Sequence, residues 1–196
     1  MLRKFFKTKQ SNDTVIRGIY GEIVAQARHT SFYEDFGVPD TLDGRFNMIV
    51  LHNFLLFRRL KDVDEATRAV SQDVFDMFRL DMDRSLRELG VGDTTVPKRM
   101  KKMMQVFYGR TDAYEEALNA EQPKPDLVDA LSRNILSYNE SLFSEEGESA
   151  VPKNAMSEKA EALADYVLAT TSALEKQNES DIMQGSLSFP TPKAYN

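Results

Sequence analysis

The chain contains no cysteine, which excludes disulfides, thiol nucleophiles and thiolate metal sites. That absence fits a reducing compartment, and a cytoplasmic location is expected. Histidine is scarce as well. His29 and His52 are the only imidazoles, and neither belongs to a His-x-x-x-His or Glu-x-x-His pair that would set two ligands on one helical face. No Ser/His/Asp order and no pair of carboxylates stands out, so no catalytic set is assigned and a non-enzymatic role is expected. Long hydrophobic runs are missing too. The longest, residues 48–57, is interrupted by His52 and Asn53 and is far shorter than the ~20 residues of a membrane-crossing helix. The opening MLRKFFK is basic but leads directly into TKQSNDT without an apolar stretch, so it is not read as a secretory signal. Strand-like alternation is nearly absent and the seven prolines fall mostly at segment edges. The fold class expected is therefore all-α.

What is present suits one globular unit. The 196 residues are 41% hydrophobic and 29% charged, enough for a single domain with a genuine core. The net charge of −6 hides an asymmetry. Residues 1–110 carry 19 Lys and Arg against 15 Asp and Glu, and residues 111–196 carry 6 against 16. Either the basic front meets an anionic partner, or the acidic rear serves solubility alone.

Residues 73–110 are the most informative stretch. Phe75, Phe78, Met82, Leu86 and Leu89 recur at steps of three and four, the signature of one buried helical face. Val70, Val74 and Met77 widen the stripe. Gly90 follows where a helix end favours a left-handed residue. Thr94 or Thr95 then caps a basic helix with Pro97 in its first turn. That helix carries Lys98, Arg99, Lys101 and Lys102, then Met103, Met104, Val106, Phe107 and Tyr108, and Gly109 is expected to end it. Lys98, Lys101 and Lys102 share a side, and Arg99 points about 100° away.

Elsewhere the pattern sets further helices. One starts near Asp13 or Thr14 and runs to about Arg28, with Ile16, Ile19, Tyr20, Ile23 and Ala27 inward. Residues 29–44 are irregular, yet Phe32, Tyr33 and Phe36 are too many aromatics for a solvated loop and should fold back. The segment 45–61 is apolar over most of its circumference, as the central helix of a bundle is. Asp62 or Asp64 caps the long helix ending at Leu89. Asp112 and Glu115 have the spacing of a capping box for a short helix ending near Ala120. Residues 126–138 and 157–177 read as two more helices, separated by a polar, acidic linker at 144–155. The expectation is a single helical bundle of about six to seven helices over residues 13–178. A basic, mobile N-terminus (1–12) and a disordered tail (179–196) flank it.

Asp81-Met82-Asp83 invites a cation site, but an EF-hand loop would need Gly where Leu86 stands and Glu where Gly92 stands. The i, i+4 spacing of Arg79/Asp83, Asp83/Arg87 and Arg84/Glu88 favours surface ion pairs instead. Gly90-Val91-Gly92 follows a helix, not a strand, and lacks a third glycine, so it is no dinucleotide fingerprint. No cofactor is assigned. The alternatives to a binding domain are a haem- or metal-binding helical protein using His29 or His52, and a general ribosome- or RNA-binding adaptor. His52 lies on the side of Met48, Leu55 and Leu56, which favours a structural histidine. The candidate partner-binding residues are Lys98, Arg99, Lys101, Lys102 and Arg110, beside adaptable methionines and aromatics.

DMDRSLRELGVGD, with the lysine-rich helix and FYGR after it, resembles the ubiquinol–cytochrome c chaperone family. FYEDFGVPDTLDGRFNMIVLH and the segment from Leu55 to Leu60, ending in Arg58-Arg59-Leu60, are similar to the same family in the same order. The resemblance covers roughly residues 20–118 and leaves the acidic C-terminal third unmatched. It implies a chaperone or assembly factor for cytochrome b of the quinol–cytochrome c reductase complex, in a bacterial member. The partner implied is newly made cytochrome b, with the ribosome or a small partner protein as further partners and no DNA. The location implied is cytoplasmic, with peripheral contact at the cytoplasmic face of the inner membrane. The family supplies no catalytic residues to carry over.

Overall fold

Helix α3 (Leu42–Leu60) is the axis of the molecule, and its composition explains why. Thirteen of its 19 residues are buried, including the polar Asn47, His52 and Asn53. Its Thr41 N-cap accepts a hydrogen bond from the Gly44 N–H, and Arg58 and Arg59 sit at its C-terminal end, where cations suit the helix dipole. Such a helix needs neighbours all round. It packs against α1 (Leu2–Ala27), α4 (Glu65–Glu88), α5 (Val96–Asn119) and α7 (Lys153–Lys176).

This computed structural model describes residues 2–61, 63–137, 142–143 and 153–193, with the side chains of 2–11 and 153–156 excepted. The remaining elements are α2 (Thr30–Glu34), α6 (Pro123–Leu131), a π-helical turn at Ser132–Leu136 and α8 (Glu179–Ile182). Among the described residues there is no strand, and six helices of nine residues or more carry the bundle. The all-α expectation holds. One core runs through it, from Ile19 and Ile23 of α1, through Phe46, Leu51 and Leu55 of α3, to Phe78, Phe107, Leu131, Leu163 and Val167. Phe32 and Phe36 are fully buried, so the aromatics between α1 and α3 do fold back.

Several boundaries differ from the sequence reading. Helix α1 is continuous from Leu2, upstream of Asp13, because no proline or glycine interrupts the chain before Gly18. The side chains of the basic segment 2–11 lie outside the described residues.

Gly109 does not end the basic helix, and the two helices expected around it are one, α5. Its φ is not positive, unlike that of Gly90, which sits at +80° at the end of α4. Phe107 packs on Phe57 and Tyr114 packs on Phe54, so α3 holds α5 on both sides of the glycine. That contact outweighs a helix-interior glycine's cost of about 1 kcal/mol. Glu115 is consequently mid-helix and caps nothing.

Helix α6 starts at Pro123, with proline tolerated in the first turn, rather than at Asp126. Much of the linker expected at 144–155 lies outside the described residues. The tail is the largest correction. From 179 to 193 it is ordered against the bundle, with Ile182 and Leu187 buried, because its few apolar residues all turn inward. Residues 194–196 lie outside the described residues.

Candidate functional site

The basic helix is presented by the turn that precedes it. Val91 N–H bonds to the Leu86 carbonyl at 3.0 Å and Gly90 N–H to the Arg87 carbonyl at 3.0 Å, which closes α4. Arg87 pairs with both Asp83 (2.7 Å) and Asp93 (2.5 Å), tying the turn to the helix it leaves. Helix α5 then begins at Val96. Met103 and Phe107 are buried, and Phe107 stacks against Phe75 (5.2 Å) and Phe78 (5.3 Å) of α4. This inward anchor fixes which way the cations face.

The five candidate residues divide. Lys98 and Lys101 are exposed and Lys102 is half-buried beside them, as a shared helical side requires. Arg99 turns the other way and donates to the Leu142 carbonyl at 2.8 Å. Arg110 is withdrawn further. Its guanidinium donates to the Asn47 side-chain carbonyl and lies over the Phe46 ring, 5.8 Å from the centroid. Asn47 in turn donates to the Asn134 carbonyl at 3.0 Å, so Arg110 closes a link from α5 through α3 to the π-turn. Burial lowers the Arg110 pKa. Tyr108, 54% exposed and set against Phe75, extends the lysine face with an aromatic.

The acidic stretch of α4 is a salt-bridged surface. Arg84 pairs with Glu88 at 2.8 Å, and Arg79 pairs with Asp76 rather than Asp83. Asp81 accepts the Tyr20 hydroxyl proton at 2.7 Å, which ties α4 to α1. Among the described residues no three His, Asp or Glu side chains gather as a metal site.

The histidines have other occupations. His29 is the N-cap of α2, its Nδ1 accepting from the Ser31 N–H at 3.3 Å. His52 is completely buried. Its Nδ1 meets the Met48 carbonyl at 2.7 Å, and a carbonyl only accepts, so Nδ1 carries the proton. Nε2 then accepts the Tyr166 hydroxyl proton at 2.8 Å. Gln26 completes the chain by donating to the Tyr166 oxygen at 2.9 Å. With both ring nitrogens engaged, His52 has none left for a haem or a metal. Tyr166 was not singled out from the sequence. Its only signal was its place three residues after Leu163, on the inward side of α7.

One further cleft, of about 470 Å³, opens where α3, α5 and α7 end, among Arg58, Arg59, Lys61, Glu115 and Glu175. Its arginines are already committed. Arg58 pairs with Glu115 at 2.5 Å, and Arg59 donates to the carbonyls of Leu174 and Gln177 that end α7. The cleft is a helix-end clamp.

The ubiquinol–cytochrome C chaperone model matches residues 34–189, most of the chain. The chain belongs to this family. Ubiquinol-cytochrome-c reductase complex assembly factor 1 of Xenopus laevis is 25% identical over 118 residues, 60% of this chain and 58% of that protein. The chain thus spans less than two thirds of that relative's length. The crystal structure of the Cbp3 homolog from Brucella abortus is similar over 97% of each chain, with a TM-score of 0.77 and 38% identity. The family match also corrects the resemblance read from motifs, which stopped near residue 118. The C-terminal third belongs to the chaperone fold because α7 supplies Tyr166 and Val167 to the core, contacts that leave no local motif. No helix among the described residues of this family member is long and apolar enough to cross a membrane.

Proposed function

We propose that the protein is a non-enzymatic chaperone that binds newly made cytochrome b during assembly of the ubiquinol–cytochrome c reductase complex. The observation that carries this reading is the family match, which runs through residues 34–189 and so includes the central helix, the basic helix and the tail together. The structure is compatible in kind. Its polar buried groups at His52 and Arg110 are tied to neighbouring helices, while Lys98, Lys101 and Tyr108 are left on a surface. That surface offers cations beside an aromatic and the half-buried Met104, which suits an amphipathic partner at a membrane's polar boundary. The protein acts at the cytoplasmic face of the inner membrane, by peripheral contact.

Affinity capture from solubilised membranes, scored for cytochrome b, tests the client directly. Removal of the gene is expected to lower spectroscopically detected cytochrome b in membranes while sparing unrelated haem proteins. Normal cytochrome b in respiring cells without the gene would refute the reading.

A further inference from the structure

The tail that closes the molecule is held as a bound peptide is held. After α8 the chain turns at Gly185, whose φ of +91° is open to glycine and strained for other residues. Residues 186–193 then continue without helix or strand and pack Leu187 and Phe189 against the core. Over residues 186–189 burial alternates: Leu187 is buried and Phe189 half-buried, while Ser186 and Ser188 are exposed. Beyond them Pro190 is half-buried, Thr191 exposed, Pro192 buried and Lys193 exposed. Over the first four residues the two-residue period is that of an extended ligand with alternate side chains turned inward.

The hydrogen bonds to this segment read its main chain. Gln177 Oε1 accepts the Ser188 N–H at 3.1 Å and its Nε2 donates to the Ser188 carbonyl at 2.6 Å, a two-point contact of the kind a neighbouring strand makes. Gln26 donates to the Pro190 carbonyl at 2.9 Å. None of these bonds depends on the side chain at the contacted position. Specificity falls to the apolar positions, where Phe189 meets the edge of the buried His52 ring at 5.1 Å and 89°. Backbone-reading bonds with alternate apolar pockets are how grooves take up extended peptides of varied sequence.

We propose that residues 186–193 are a displaceable strap, and that the groove beneath it receives an extended apolar peptide in its place. His52 and Tyr166 form its floor, and Gln26 and Gln177 supply the main-chain contacts. The likeness between strap and ligand is the argument for this occupant: two glutamines that hold main chain hold any main chain of that shape. The source of such a peptide, an incompletely folded client, rests on the chaperone reading; the strap and the groove do not.

The test uses the full chain and a fluorescent synthetic peptide with the sequence of residues 185–193. A groove masked most of the time shows an affinity reduced by its open fraction. Leu187→Ala/Phe189→Ala is therefore expected to bind the peptide at least about tenfold more tightly than the unaltered chain. Adding Gln177→Ala to that variant should weaken the peptide again, and a peptide with alanine at both apolar positions should fail to compete. In the unaltered chain, saturating peptide should speed hydrogen exchange at the amides of Leu187, Ser188 and Phe189. Equal affinities, absent binding or unchanged exchange would overturn the proposal. So would unfolding of the double variant, which would make the tail a fixed part of the core. A chain that binds the peptide but whose loss leaves cytochrome b unchanged would keep the groove and lose the client.

Discussion

His52 and Tyr166, 114 residues apart in sequence, share a buried hydrogen bond of 2.8 Å in which the phenol donates to the imidazole. The bond requires a neutral ring, since a protonated imidazole offers Nε2 as a donor and has no acceptor left. Burial pushes the His52 pKa down to about 4, opposed only in part by the Met48 carbonyl. In the unfolded chain the ring titrates near its ordinary value of 6.5. As pH falls below that value the unfolded state takes up the proton first, so stability falls from pH 6.5 toward pH 4 and is unaffected by this group above 6.5. Between pH 6.5 and 5 the loss should approach about 2 kcal/mol. Urea midpoints measured across that interval should slope in the native chain and flatten in His52→Gln. Parallel slopes in the two proteins would contradict a neutral buried His52.

Tyr166→Phe isolates the same network without changing its shape. The ring stays among Phe32 and Phe36, with centroids at 4.9 and 6.1 Å. The hydroxyl is what His52 Nε2 and Gln26 lose. An acceptor buried without a donor costs about 1–3 kcal/mol, so the melting temperature should drop although no apolar contact is lost. A phenylalanine variant as stable as the native chain would mean that the network adds nothing to stability.

Gly109 sits inside α5 with ordinary helical backbone, and a Cβ built on it meets nothing within 4 Å. Gly109→Ala should therefore stabilise the protein by up to about 1 kcal/mol. Gly90 also has open space around it, but its φ of +80° makes Gly90→Ala costly, by about 1–2 kcal/mol. Chemical denaturation of the pair separates backbone conformation from packing. Shifts of the same sign would undo the distinction.

The contrast between these glycines shows what the sequence could convey. Gly90 ends a clear apolar period, and the local pattern was enough to place it. Gly109 interrupts a period in the same way, yet the helix continues because Phe57 and Phe54 of α3 hold α5 on both sides. Nothing local encodes that contact. The same limit applied to the basic residues. Helical geometry alone separated Arg99 from Lys98, Lys101 and Lys102, and the structure places it inward. Arg110 looked like one more surface cation because its partner, Asn47, lies 63 residues earlier in the chain.

Arg110 should thus behave as a structural residue. Arg110→Ala removes its bond to Asn47 and its place over Phe46, and leaves the Asn47 carbonyl without that donor. A loss of about 2–3 kcal/mol is expected, as for hydrogen bonds to charged groups in partly buried sites. Lys98→Ala, made alongside, should change stability by no more than about 0.5 kcal/mol. Thermal unfolding of the two variants provides the comparison, and equal midpoints would return Arg110 to the surface group.

The lysine face itself is tested by reversing its charge. Lys98→Glu, Lys101→Glu and Lys102→Glu together leave Met103 and Phe107 on their buried contacts, so the helix should keep its seat on α4. Each change should cost about 0.5 kcal/mol or less. Capture of cytochrome b from solubilised membranes should nonetheless fall, because three positive charges become three negative ones on the presented side. Salt dependence tells a client from nucleic acid. Three lysines neutralising three phosphates of ribosomal RNA would give log K a slope of about −2 to −3 against log salt, through counterion release. An apolar client helix resting on Met104 and Tyr108 would give a shallower one, and Tyr108→Ala would weaken it at any salt. Undiminished capture by a folded triple variant would make the lysines a solvated face and move the search for the client site elsewhere on the bundle.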